Sequence, residues 1–444
     1  MKTMTHSQEK SSALPTDPAA LRVQVEDIVN TTPVVDMHTH LFPPAFEGLC
    51  LFGIDELLTY HYLIAETFRS AKISYERFWR MSKTEQADLV WRALFIDRSP
   101  ISEATRGVVT VLEAFGLDTR ARTLDEARQF FKSRSLTEHV THTLDIARVK
   151  EVVMTNDPLD DLETGFWTID LQVDDRFRAA LRLDGIVNDW LQAANTLSVR
   201  GIPVNRDLDQ TTITTLRSFL DTWIHRMSPV YLAVSLPADF SFETDDTRNR
   251  LLRELILPTA TEHGLPLTLM IGVRRGVNPA LRGAGDGLDR ADVTAVEQLC
   301  AYRPDVKFFV TFLSRENQHA LCVAARKFNN LMPFGCWWFL NTPSIVYEIT
   351  RERIELLGTS FIPQHSDARV LEQLIYKWKH ARREIAEALY RSYEQLLHSG
   401  RAVTSDEISR DVSQMFSGNF DEWVGGSTTN SLVLDRQLAE RGIA

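Results

Sequence analysis

PVVDMHTHLF, residues 33–42, starts as an apolar strand and then spends two alternate positions on imidazoles. In a strand, residues two apart face the same way, so Asp36, His38 and His40 are expected on one face and Met37, Thr39 and Leu41 on the other. Two histidines on one strand face make a two-point clamp for zinc or another divalent transition metal. Taken alone, the tripeptide HTH fits packed core histidines or surface histidines equally. Its meaning depends on where this strand sits in the fold.

Seven further apolar runs follow it. They are EVVMTND (151–157), FRAALRLD (177–184), VYLAVSLP (230–237), LPLTLMIGV (265–273), KFFVTFL (307–313), LMPFGCWWF (331–339) and TSFIPQHSDAR (359–369). Between them lie stretches of helical periodicity such as TTLRSFLDTWIHRM and VLEQLIYKWKHARREIAEALYRSYEQLL. Apolar strands alternating with amphipathic helices call for parallel strands covered by helices, and eight such units predict an α/β fold of the (β/α)8 TIM-barrel type. A doubly wound open sheet is disfavoured because no GxGxxG follows the first strand. One interval is anomalous, since about a hundred residues separate the first two runs. IDELLTYHYLIAETFR, SYERFWRMSKTEQADLVWRALF and EARQFFKSRSLTEHVTHTLDIARV within it all read as helix, and bare coil of that length is improbable. The barrel is therefore expected to be distorted by a helical insertion after strand 1, on the C-terminal face where active sites of this fold sit. The division that follows is an arm and short helix at 1–32 and a barrel at 33–42 plus 145–400. The insertion occupies 43–144, and a C-terminal helix and tail occupy 401–444. Residues 1–20 read as a flexible arm, 21–31 as the short helix, and the extreme C-terminus as a polar, frayed end.

Composition narrows the class. At 444 residues with 44% hydrophobic and 25% charged content, the chain has the profile of a soluble globular protein, and its apolar stretches fall far short of a membrane span. A net charge of −11 argues against a general nucleic-acid binder, although arginines can still gather around an anion locally. The polar N-terminus lacks the apolar core of a secretion signal. Cys50, Cys300, Cys322 and Cys336 show no CxxC pairing and read as reduced thiols in a cytoplasmic protein.

If the first strand opens at the top of a barrel, the clamp needs another ligand. The eighth run ends in HSDAR, where alternation puts His365, Asp367 and Arg369 on one face. Strands 1 and 8 adjoin in a closed barrel, so Asp367 can complete a site with His38 and His40. The competing role for this aspartate is a helix N-cap. Three protein ligands with open positions is the catalytic rather than the structural arrangement.

HxH on the first strand with Asp on the eighth is the pattern of the amidohydrolase superfamily. The blocks DELLTYHYLIAE, RSPISEATRG, VMTNDP, AALRLD, MSPVYLAVSLP, LSRENQH, FGCWWF and GTSFIPQHSDARVLEQLIYKW resemble the uronate isomerase family over roughly residues 21 to 425. The resemblance implies reversible conversion of D-glucuronate to D-fructuronate and of D-galacturonate to D-tagaturonate. It further implies metal ligation by His38, His40 and Asp367, with His61 and Tyr62 reaching the substrate from the inserted segment. Arg182 and Arg369 would bind the sugar acid, and Trp337 and Trp338 would stand near the same pocket. One divalent metal, zinc by preference, is the expected cofactor, and a uronate is the expected small-molecule partner of a homo-oligomer that binds neither nucleic acid nor membrane.

At the fifth run the chain departs from longer members of that family, which carry a histidine where this chain has Met270 in MIG. A thioether is a poor zinc ligand, so no ligand is assigned there. VYLAVSLP holds neither lysine nor histidine to bridge a second metal, which favours one ion over two.

The residue types suit the chemistry. An aldose–ketose interconversion moves a proton between C2 and C1 through an enediol, which requires acid–base groups, charge stabilisation on oxygen and a grip on the carboxylate. His61, Tyr62 and Asp367 are the candidate catalytic groups, and arginine forks suit the carboxylate. A metal-dependent hydrolase of the same superfamily, acting on a lactone, ester or amide, is the alternative, and a non-catalytic sugar-acid binder is another. Other features read blandly. His139 and His142 are expected to pack or face solvent, GAGDG (283–287) lacks the Lys-Ser/Thr of a phosphate loop and reads as a flexible loop, and Arg315, Glu316, Asn317 and His319 rank below the residues above.

Overall fold

The computed structural model describes residues 17–169, 171 and 173–425; the flexible arm and the frayed end expected from the sequence fall mostly outside these residues. The expected short helix forms as Pro18–Thr31, with Asp17 accepting from the Ala20 amide at its start.

The apolar runs become strands β1 (Val34–Thr39), β2 (Val149–Asn156), β3 (Phe177–Arg182), β4 (Leu232–Pro237) and β5 (Leu267–Arg274). They continue as β6 (Gly287–Leu288), β7 (Phe308–Phe312) and β8 (Leu331–Pro333). All pair in parallel in the order β1-β2-β3-β4-β5-β7-β8, except β6, a short antiparallel return on β5 that the sequence did not announce. Near-continuous apolarity in these strands follows from burial on both faces. Val35, Met37, Val153, Ala180, Ala233, Met270 and Phe309 fill the barrel interior, while residues at the alternate positions pack against the surrounding helices.

Two expectations about the later strands need correction. β8 ends at Pro333, because Gly335 (φ 63°) and Trp338 (φ 47°) are left-handed and turn the chain. The eighth run is not a regular strand at all: Pro363 has no amide proton to donate to a ladder, and Asp367 is left-handed at φ 51°. It nonetheless closes the barrel. Ile362 and Gly335 bond across to β8's end, with Gly335 N donating to Ile362 O at 2.8 Å and Ile362 N to Pro333 O at 3.1 Å. On the other side Asp367 N donates to His38 O at 3.1 Å and His40 N to Ala368 O at 2.7 Å. The result is a distorted (β/α)8 barrel.

A third correction concerns β1. Its pairing with β2 slips between Asp36 and Thr39, with one more residue on β1 than on β2. Asp36 therefore does not share the histidines' face. It lies toward the long helix Gln373–His398 and accepts from Trp378 Nε1 at 2.8 Å and from Ser366 N at 3.0 Å. A bulge that changes which side chains face inward is a recurrent device at barrel rims.

The interval between β1 and β2 is helical, running from Ile54–Leu58 through His61–Thr67, Tyr75–Trp79, Lys83–Trp91, Glu103–Ala114 and Asp125–Lys132 to Leu136–Ala147. It is bound to the long helix. Gly107 lies flat against the Tyr376 ring, and His139 is fully buried with Nε2 2.6 Å from Glu372 Oε1, which also accepts from Gly53 N. His139 is thus a packing histidine, as its sequence context suggested. At the opposite mouth, the helix Asn419–Val424 plugs the barrel floor. Phe420 stacks on Phe309 with centroids 6.0 Å apart, and Asn419 Nδ2 donates to Thr359 O and Phe361 O. No helix among the described residues is long and apolar enough to cross a membrane.

Candidate active site

The slip in β1 and the left-handed turn in the eighth segment bring His38, His40 and Asp367 together. Asp367 Oδ1 lies 3.3 Å from His40 Nε2 and 3.9 Å from His38 Nε2. One donor atom from each of the three falls within a 4.8 Å cluster. Both rings are oriented by hydroxyls. Tyr231 donates to Met37 O at 2.6 Å, so at 3.2 Å from His38 Nδ1 its oxygen is left to accept. Thr155 donates to Thr39 O at 3.1 Å and stands 2.8 Å from His40 Nδ1 in the same way. Each histidine then carries its proton on Nδ1 and turns the Nε2 lone pair toward Asp367, which is how ligating imidazoles are oriented by their outer partners.

Charge states suit a cation. Burial lowers His38 to about 3 and His40 to about 4, the nearby Arg369 charge adding to the effect at His40, so both are neutral donors near pH 7. Burial alone would raise Asp367, but its environment, which includes the nearby Lys377 ammonium, holds it below the usual carboxylate range. Two neutral imidazoles and one carboxylate, with Nε2 atoms and an oxygen converging, fit a divalent metal, and the three can hold one ion. Met270 also lines the cavity, and its thioether adds no hard donor to the set.

Around the cluster opens a cavity of about 490 Å³. Arg369 reaches it from the eighth segment, with Nη2 3.4 Å from His40 Nε2 and its backbone amide tied to Gln373 Oε1. Arg182 reaches it from the end of β3. Its Nε and Nη2 both bond Asp184 Oδ2, at 2.9 and 2.8 Å, and Asp184 Oδ1 accepts from Ser235 N, which ties β3 to β4. His61 lines the cavity with its ring against Tyr60 at 3.9 Å, and burial lowers it to about 3. Tyr60 lines the cavity beside it, whereas Tyr62 packs edge-on behind both rings. His61 Nε2 and the hydroxyls of Tyr60 and Tyr62 are buried without hydrogen-bond partners among the described residues. Trp337 and Trp338 line the cavity, with Trp338 5.3 Å from His61. The loop after β5 forms part of the outer wall through Arg275, Arg282 and the GAGDG residues Gly283, Ala284 and Asp286; Trp79 of the inserted helices bonds it through Ala280 O at 2.8 Å.

Sequence reasoning passed over Thr155, Tyr231 and Tyr60. Thr155 had a signal, being a polar residue at the C-terminal end of an apolar strand. Tyr231 had none, because it lies deep in the barrel and acts through a ring nitrogen. Arg315 and His319 pair with Glu348 and Glu352 on the outside, away from the cavity.

A parallel barrel with a His-His-Asp donor set at the C-terminal mouth defines an enzyme of the class that can hold a metal ion there. A uronate isomerase from Bacillus halodurans C-125 is similar at 51% identity and a TM-score of 0.90, covering 94% of this chain and 99% of that one. The chain belongs to the uronate isomerase family. The fold is shared with a uronate isomerase from Thermotoga maritima, 14% identical with a TM-score of 0.72 over 91% of this chain and 97% of that one. It is also shared with a glucuronate isomerase from Caulobacter crescentus, 15% identical with a TM-score of 0.73 over 94% and 97%. No family model matches the chain, and no curated protein matches it.

Proposed function

We propose that the protein is an aldose–ketose isomerase of uronates, converting D-glucuronate to D-fructuronate and D-galacturonate to D-tagaturonate. One observation carries this reading: a single cavity joins the His38–His40–Asp367 cluster to the guanidinium groups of Arg182 and Arg369. A sugar acid needs both ends of such a cavity, one for its carboxylate and one for the carbons that exchange a proton.

Two imidazoles and one carboxylate with open positions suit zinc, as in catalytic zinc sites, and also suit Fe(II). Bound there, either ion would supply electrophilic stabilisation of the oxygens at C1 and C2. The chain's own residues do the remainder. Asp184 holds one edge of Arg182, and the other edge is left to take a carboxylate or hydroxyl. Arg369, which lines the cavity beside His40, opposes the negative charge that builds on the enediol oxygens. Asp367 is ionised and His61 is neutral with Nε2 unpaired among the described residues, so the site offers two groups able to take or give a proton. Trp337, Trp338 and the inserted helices line the cavity in which the enediol would form. The inserted helical stretch thus works as a roofing subdomain over the barrel.

The test is incubation of zinc-loaded protein with each uronate, following appearance of the 2-keto product. Turnover of at least one is expected, and absence of product from both overturns the proposal.

A further inference from the structure

The long helix carries a lysine where its inner face should be apolar. Lys377 is 2% exposed and sits among Leu374, Trp378 and Ala381. Its ammonium donates to the carbonyl oxygen of Ser366 at 2.5 Å and lies 5.4 Å from the centre of the Tyr62 ring. It makes no ion pair among the described residues. Burying an ammonium against one carbonyl and a ring face is costly compared with a methionine of similar length.

The carbonyl it holds belongs to the peptide that joins Ser366 to Asp367. The other end of Ser366 is fixed too, its amide donating to Asp36 Oδ1 at 3.0 Å. Just beyond, Asp367 stands left-handed at φ 51°, a conformation that a non-glycine residue keeps only where its surroundings enforce it. Gln373, one helical turn before Lys377, accepts from the amides of Arg369 and Val370. The turn that presents Asp367 is therefore gripped on both flanks by one face of the long helix.

We infer that Lys377 is a positioning residue, which holds the Ser366–Asp367 peptide in the left-handed turn that aims the Asp367 carboxylate at His38 and His40. This deepens the proposed function, on which its catalytic consequence rests, but its structural content can be read without substrate. A pure charge effect has the opposite sign: removing a cation beside a metal site tightens metal binding, whereas loosening Asp367 weakens it.

The experiment measures zinc affinity by competition with a chromophoric chelator in the parent, Lys377→Met and Lys377→Arg, each checked for native circular dichroism. Arginine keeps the charge but cannot place a point donor on the Ser366 carbonyl, so it decides the matter if the methionine variant does not fold. Positioning predicts affinity weaker by about tenfold or more in every folded variant, in the range seen when the partners of metal ligands are removed. It also predicts that kcat falls while KM stays within about threefold. Zinc affinity equal to or tighter than the parent's in a folded variant overturns the inference. If the parent turns over neither uronate, the proposed function falls and the affinity comparison still judges Lys377.

Discussion

Thr155 and Tyr231 decide which nitrogen of each histidine is free, which no ligand can do for itself. Replacing Thr155 by valine keeps the shape and removes the acceptor for His40 Nδ1. The expected result is a zinc affinity lower by about 10- to 100-fold with the fold unchanged, measured by chelator competition. Glu163 gives a second prediction at this scale, away from the cluster. Burial raises it to about 7, although Asn156 Nδ2 and Asp157 N both donate to it. Its folded value lies above its unfolded one, so the native state binds the extra proton between about pH 4.5 and 7 and stability falls as pH rises through that window. Glu163→Gln keeps an acceptor and removes the charge. Its melting temperature should exceed the parent's at pH 8 and match it at pH 4.5, with at most ~3 kcal/mol separating the two at the higher pH. The convergence of His38, His40 and Asp367 was legible from the sequence because the histidines end the first apolar run and the aspartate ends the eighth, which adjoins it in a closed barrel. Their orienting partners were not, because a threonine or tyrosine hydroxyl carries no periodicity.

Among the elements, the strands were read from apolarity and the inserted helices from their period, and both match where burial alone sets the pattern. Reading failed where backbone conformation overrides alternation: the slip between Asp36 and Thr39, the turn at Gly335 and the left-handed Asp367. Alternation placed Asp36 beside His38, and one extra residue in β1 put it on the helix side instead. The contact between the helices Glu103–Ala114 and Gln373–His398 was equally hidden, since a glycine inside a helix looks like a weakness. A Cβ on Gly107 would stand 2.6 Å from Tyr376 Cδ2, too close for either helix to tolerate without moving. Gly107→Ala, which should help an isolated helix, is expected to destabilise this protein by about 1–3 kcal/mol in urea unfolding. Wild-type stability or better in that variant would mean that the helices are not in such close contact.

At the scale of the molecule, the barrel has a floor and a roof supplied by segments outside its strands. The floor is the helix Asn419–Val424, whose Phe420 is 1% exposed against Phe309 and Arg178. Phe420→Ala should cost about 3–5 kcal/mol and be visible as a lowered melting temperature with zinc affinity retained, because the cluster lies at the other mouth. The barrel's seam runs between β1 and residues 361–369, and the three convergent donors straddle it. His38 and His40 come from one end of the sequence and Asp367 from the other. A chain still being synthesised exposes both histidines long before the aspartate exists, so a nascent polypeptide can offer only two of the three donors. Metal capture by all three residues is thereby confined to chains whose eighth segment has been made and has closed against the first strand.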